Sequence, residues 1–207
     1  MPDTDWPAVP KTSPLGLQFF AYGPGYNGEK RAPESIEHQM AKLTIVKALR
    51  AAGFEAWAER SGETPKGERW WADVLFDAGG RKMAVEIQLS KQTFREYERR
   101  TQRYQQTGLE VIWLIRESHY ASTSRDFARK LLKEGGPFGK LPTIFGHRPA
   151  ALLSLLPVER GTLDPSSQEI RVPVNDELVP TRIPLERFIV GAAEGKLEYT
   201  HRWCWRE

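Results

Sequence analysis

Within Trp70 to Ser90, WWADVLFDAGGRKMAVEIQLS, two acids are spaced so that they could share a cation. Gly79-Gly80 divides two alternating runs and reads as a two-residue hairpin loop, because glycine reaches the positive φ angles such turns require. Counting outward, Phe76 faces Met83, Val74 faces Val85, Ala72 faces Ile87 and Trp70 faces Leu89, which predicts one wholly apolar face. The other face pairs Asp77 with Lys82, Leu75 with Ala84, Asp73 with Glu86 and Trp71 with Gln88. Like charges directly opposite each other on a sheet repel, and burial makes the repulsion worse. Asp73, Glu86 and the Ile87 carbonyl are hard oxygen donors of the kind Mg²⁺ or Mn²⁺ takes. The alternatives are acids neutralised by arginines or set at an exposed sheet end. A loop one residue longer or shorter would put the two acids on opposite faces.

Two helices must bring further groups to that hairpin. Residues 34–52, ESIEHQMAKLTIVKALRAA, are periodic and end at Gly53, a residue suited to a left-handed cap. At 100° per residue Glu34, His38, Lys42, Ile45 and Leu49 share one stripe. Ile45 and Leu49 require the core, so His38 and Lys42 point inward near the helix start. They present a metal ligand and a cation to the acids, or else a satisfied core-edge histidine and a snorkelling lysine. Glu37, on the neighbouring side, could also reach the site as a ligand. Downstream, Thr93-Phe94-Arg95-Glu96 is a capping box opening a helix to about Gln106. Phe94, Tyr97, Thr101 and Tyr104 follow core spacing. Arg95, Arg99, Arg100 and Arg103 cover the rest, as phosphate contacts or as a solvated face paired with Glu96 and Glu98. Arg100, one turn before Tyr104, could look toward the acids, and Tyr104 is a candidate nucleic-acid contact with it.

Between the helices, Phe54 to Glu59 reads as a short strand and Ser61 to Glu68 as a polar loop; Leu109 to Ile115, LEVIWLI, reads as a strand buried on both faces. Helix, three strands, helix, strand is an α/β arrangement with helices against a sheet. Residues 1–32 read as a partly ordered arm containing a strand near 17–22, 33–116 as the core, and 117–207 as an elaboration of the same domain. The elaboration holds a helix at 124–135, strands at 141–145, 151–156 and 171–174, and a helix at 185–193. His119, His147 and His201 have no ligand spacing, and there is no P-loop, G-x-G-x-x-G or G-x-S-x-G.

A net charge of +3 over 207 residues permits a polyanionic partner without demanding one. The single cysteine, Cys204, excludes an internal disulfide or cysteine-rich zinc site and fits a reducing compartment. No apolar run approaches the roughly 18 residues of a membrane span, and the first residues lack a signal-peptide pattern, so a cytoplasmic protein is expected.

In that order of elements, Phe20-Ala21, ESIEHQMAK (34–42), WADVLF (71–76), AVEIQLS (84–90) and ERRTQRYQQTGLEVIWLI (98–115) resemble the competence protein CoiA-like family of the PD-(D/E)XK, or restriction-endonuclease-like, superfamily. The resemblance covers about residues 19–116. It implies DNA processing linked to uptake and recombination of incoming single strands, with recombination or uptake proteins as partners. It places metal ligation on Asp73 and Glu86, with Gln88 in the superfamily's lysine position. On this reading the protein is a Mg²⁺- or Mn²⁺-dependent deoxyribonuclease in which Gln88 orients the attacking water and Lys42 supplies charge. The cysteine-bearing N-terminal module frequent in such proteins is missing here. The alternative is a non-catalytic DNA-binding recombination mediator of the same fold.

Overall fold

The computed structural model describes residues 6–12, 18–27, 34–135, 150–158, 168–175, 177, 179–199 and 203–207. Its centre is a mixed seven-stranded sheet in the order β3-β4-β5-β6-β7-β8-β9. These strands are β3 (Glu55–Glu63), β4 (Arg69–Ala78), β5 (Arg81–Gln88), β6 (Glu110–Arg116), β7 (Ala151–Leu155), β8 (Glu169–Val172) and β9 (Thr181–Pro184). β5, β6 and β7 run parallel, and the remaining neighbours are antiparallel. Parallel neighbours need a crossover, supplied by α2 (Phe94–Gln106) between β5 and β6 and by α3 (Glu117–Gly135) ahead of β7.

α1 (Ile36–Ala51) and α4 (Leu185–Ala193) cover one face of the sheet. Ile45 and Leu49 of α1 and Phe188 and Ile189 of α4 pack there with Val74, Phe76, Val85, Ile112 and Leu114. On the other face Tyr97 and Tyr104 of α2 pack against Leu75, Ala84, Val111 and Trp113. β6 therefore contributes to both cores, as its unbroken apolar run requires. Two small two-stranded sheets lie outside this ladder: β1 (Ala8–Thr12) with β2 (Gln18–Tyr22), and β10 (Leu197–Tyr199) with β11 (Trp203–Trp205), of which Leu197 and Trp205 join the core beneath α4. Among the described residues no helix is long and apolar enough to cross a membrane.

The β4–β5 hairpin turns on Gly79 and Gly80 at φ +69° and +92°, and Asp77 accepts the Gly80 N–H at 2.6 Å. The predicted register holds from Ala78↔Arg81 to Val74↔Val85. It does not continue to Ala72↔Ile87 and Trp70↔Leu89, and the uniform apolar face does not form: Trp70 and Ala72 join the core beneath α2, whereas Val74 and Phe76 lie beneath α1. The interruption is at Asp73. Its carboxylate, rather than a backbone carbonyl, takes the Ile87 N–H at 2.7 Å. On its other side Glu59, at φ +53°, breaks the β3–β4 ladder between Ala58↔Val74 and Arg60↔Ala72. Alternation cannot be carried through a residue unpaired on both sides.

Other boundaries move for local reasons. β3 runs on to Glu63 because Ser61, Gly62 and Glu63 pair with Trp71, Trp70 and Arg69, leaving a loop closed by the Thr64 N–H to Glu68 bond at 2.9 Å. Half of the predicted capping box forms: Thr93 Oγ1 accepts the Glu96 N–H at 3.3 Å, while Glu96 pairs with Arg99. α3 begins seven residues before the predicted Ser124, at Glu117. The predicted strand 141–145, His147 and His201 lie outside the described residues.

Gly62 lies flat on Trp70, where an added Cβ would sit 2.1 Å from the indole ring. Gly62→Ala should therefore cost about 1–3 kcal/mol, read as a lowered midpoint of urea unfolding.

Candidate functional site: an acid wall facing an arginine wall

The broken register opens a cleft of about 300 Å³ beside the start of β4. Glu34, Glu59 and Asp73 line it together with Arg69, Arg99, Arg100 and Arg103. The end of β3, the start of β4, the residue preceding the cap of α1, and α2 meet there.

The acid wall is organised by α1. Ser35 caps this helix by accepting the His38 N–H at 3.2 Å, which fixes His38 in its first turn. His38 Nε2 then lies 3.1 Å from Asp73 Oδ2. The nitrogen is buried and pairs with the Asp73 carboxylate without a well-aligned hydrogen bond. Glu34, His38 and Asp73 each offer one ligand atom, all within 4.8 Å of one another. A buried ring nitrogen beside two carboxylates fits a bound divalent cation, which accepts nitrogen and oxygen lone pairs together. Burial pushes the Asp73 carboxyl up, but proximity to His38 and the Ile87 N–H outweighs it and holds the group below its usual range. Behind them Lys42, 6 % exposed, is bound by both Glu34 and Glu59. Burial opposes its charge, yet the two acids prevail and keep its pKa above the usual lysine value.

On the opposite side Glu86 is 1 % exposed. Burial first, then the Asp73 charge, pushes its carboxyl up to about 8. Arg100 pairs with one oxygen and Tyr104 meets the other. Tyr104 has a single hydroxyl proton and two acceptors in reach, Glu86 and the Trp71 carbonyl at 2.6 Å. A protonated Glu86 resolves the count by donating to Tyr104, which donates to Trp71. Arg100 also lies over the Trp113 ring, 4.8 Å from its centroid, which fixes the guanidinium in place.

Several predicted residues are placed differently. Glu86 does not join the Glu34, His38 and Asp73 cluster, since both its oxygens are engaged on the α2 side. Glu37 turns away to Arg116 at the far end of β6, three residues along α1 from the acid that does line the cleft, Glu34. Tyr104 is 1 % exposed and serves the core rather than a base. Gln88 donates to Ser90 at 3.0 Å and accepts from Arg100 at 3.4 Å. Ile87 contributes its N–H to Asp73. Arg95 is exposed outside the cleft, whereas Arg99, Arg100 and Arg103 line it. Glu59 carried no sequence signal: its role follows from a left-handed backbone that only the fold reveals.

Residues 34–131 match the family described as competence protein CoiA, nuclease-like domain. This stretch, a little under half of the chain, is similar to that domain. It begins at Glu34, the first residue of the acid wall, and ends within α3, so it contains every residue lining the cleft. No curated protein matches the chain. A solved structure, that of the protein of unknown function AF1548, is 13 % identical over 40 % of this chain and 47 % of that one, with a TM-score of 0.31. Such a likeness is too weak to bear on fold or function.

Two members of the arginine wall, Arg99 and Arg103, are held by surface pairs. Arg99 pairs with Glu96, and Arg103 lies 3.5 Å from Glu68. Exposed pairs of this kind are worth under about 1 kcal/mol, so an anionic ligand can displace the acids.

Proposed function

We propose that the protein is a metal-dependent DNA nuclease of the PD-(D/E)XK type, acting in DNA processing during uptake or recombination. The observation that carries the reading is the buried His38 nitrogen beside Glu34 and Asp73, in one cleft with three arginines of α2. The family's nuclease-like description supports it.

His38, Asp73 and Glu34 would hold a divalent ion. A nitrogen donor favours Mn²⁺ over Mg²⁺, which prefers all-oxygen shells. Bound there, such an ion would lower the pKa of a coordinated water and polarise a phosphodiester. The chain supplies the rest. Arg99, Arg100 and Arg103 bind the phosphates and oppose the charge that grows on the scissile group. Lys42 fixes the two acids, so Glu34 is pre-positioned rather than recruited. Glu86 can join the ligands only as a carboxylate, with its proton gone and Arg100 turned toward a phosphate. Gln88 steadies Arg100 from behind and orients water without adding charge.

The test is cleavage of single- and double-stranded DNA under Mn²⁺ and Mg²⁺ by wild type, Asp73→Asn and Lys42→Met. Metal-dependent cleavage lost in Asp73→Asn is the expected result. DNA binding with no cleavage under either ion would instead establish a non-catalytic mediator.

A further inference from the structure

Lys42 lies eight residues from Glu34 in sequence, and its buried ammonium is bound by Glu34 and Glu59 together. A lysine is almost never buried unless it is paired, and one carboxylate is enough to pair it. Here two converge on it, and both line the cleft. One of them, Glu34, also belongs to the cluster with His38 and Asp73. We propose that the Lys42 ammonium occupies a second cation position of the cleft, so that the site takes one divalent ion where two would otherwise bind.

The charge count points the same way. Glu34, Glu59 and Asp73 bring three carboxylates to the acid wall, and Lys42 cancels the charge of one. What remains matches a single divalent cation. Arg99, Arg100 and Arg103 stay outside this count, because each has an acid of its own in Glu96, Glu86 and Glu68. The chemistry of the group also suits the exchange. An ammonium is a compact, strongly hydrated point charge, closer in form to a metal ion than a planar guanidinium is. Two-metal centres place neighbouring ions in one clamp around a phosphate; here Glu34 links the ligand set of one ion to the ammonium. A lysine needed only to neutralise Glu34 would leave Glu59 out. Glu59 instead meets Lys42 from a left-handed backbone at φ +53°, a conformation unfavourable for any residue but glycine. The fold accepts that cost at the residue that completes the lysine clamp.

The inference rests on the metal site proposed above, and the experiment separates the two. Mn²⁺ bound per full-length chain is counted by titration against the EPR signal of the free ion, for wild type, Lys42→Ala and Lys42→Ala/Glu59→Gln. Wild type should bind one ion. Lys42→Ala, which leaves space and two unpaired acids, should bind two and give the spectrum of a magnetically coupled pair. The double variant loses the lysine together with one of its acids, so its charge balance returns and it should bind one ion again. Two ions in wild type, or one in folded Lys42→Ala, would overturn the role of Lys42 and leave the metal site standing. No ion in wild type would remove the site, and this inference with it. One ion without DNA cleavage would keep the inference and remove the nuclease. Where Lys42→Ala fails to fold even in MnCl₂, wild type and the double variant decide: one ion in each supports the proposal, and two in either overturns it.

Discussion

Asp73→Asn should lower Mn²⁺-dependent strand cleavage by on the order of 10³-fold without unfolding the protein. Asparagine keeps an oxygen to accept the Ile87 N–H, so the break in the ladder survives. It removes the charge on which the proposed cation site of His38, Glu34 and Asp73 depends, and amide oxygens are much poorer ligands than carboxylates. It also removes the second cause of the raised pKa of Glu86. Thermal unfolding in EDTA should therefore show Asp73→Asn as stable as wild type or more so, the usual sign that a site has been built against stability. Loss of activity with a lowered melting temperature would instead make Asp73 a structural residue.

The second large effect is on pH dependence. Folding raises the Glu86 pKa from 4.5 to about 8, so the folded state holds this proton more tightly than the unfolded one. The resulting stabilisation is complete below pH 4.5 and is lost as pH rises through about 8, a total on the order of a few kcal/mol. Chemical denaturation between pH 5 and 9, without metal, should show wild type weakening across this window. Glu86→Gln, which imitates the protonated acid and has nothing to titrate, should weaken far less and overtake wild type at the alkaline end. Parallel curves for the two proteins would show that Glu86 is ionised throughout and that Arg100 neutralises it.

These expectations mark where the sequence was legible. The alternation around Gly79-Gly80 fixes the hairpin register as far as Val74↔Val85, because a slip by one residue would expose Val74 and Phe76. The element order from α1 to β6 follows from periods and from caps that act locally, Gly53 and Thr93. Legibility ends at Asp73. A side chain that substitutes for a backbone acceptor has no periodic signature, and neither does a glutamate at positive φ. The register argument therefore set Asp73 against Glu86, while the fold joins Asp73 to His38 and Glu34 and gives Glu86 to Tyr104 and Arg100. Glu34 was legible as a member of the His38 and Lys42 stripe. Its reach into the cleft depends on lying just outside the helix that Ser35 caps, a detail of one residue.

The arginine wall was legible only as a surplus of charge on α2. Helical spacing put Tyr97, Thr101 and Tyr104 inward, and they are buried. It could not say which arginines would meet a ligand. Arg100 was set apart by its nearness to Tyr104, and it is held by Glu86, Gln88 and the Trp113 ring. Arg95, on the same helix, faces away from the cleft.

The most direct test is anomalous diffraction from crystals of the full chain soaked in MnCl₂. The expected peak lies about 2.0–2.3 Å from His38 Nε2 and from one oxygen each of Asp73 and Glu34, and vanishes in Asp73→Asn. No peak in the cleft, or a peak whose ligands exclude His38, would contradict it.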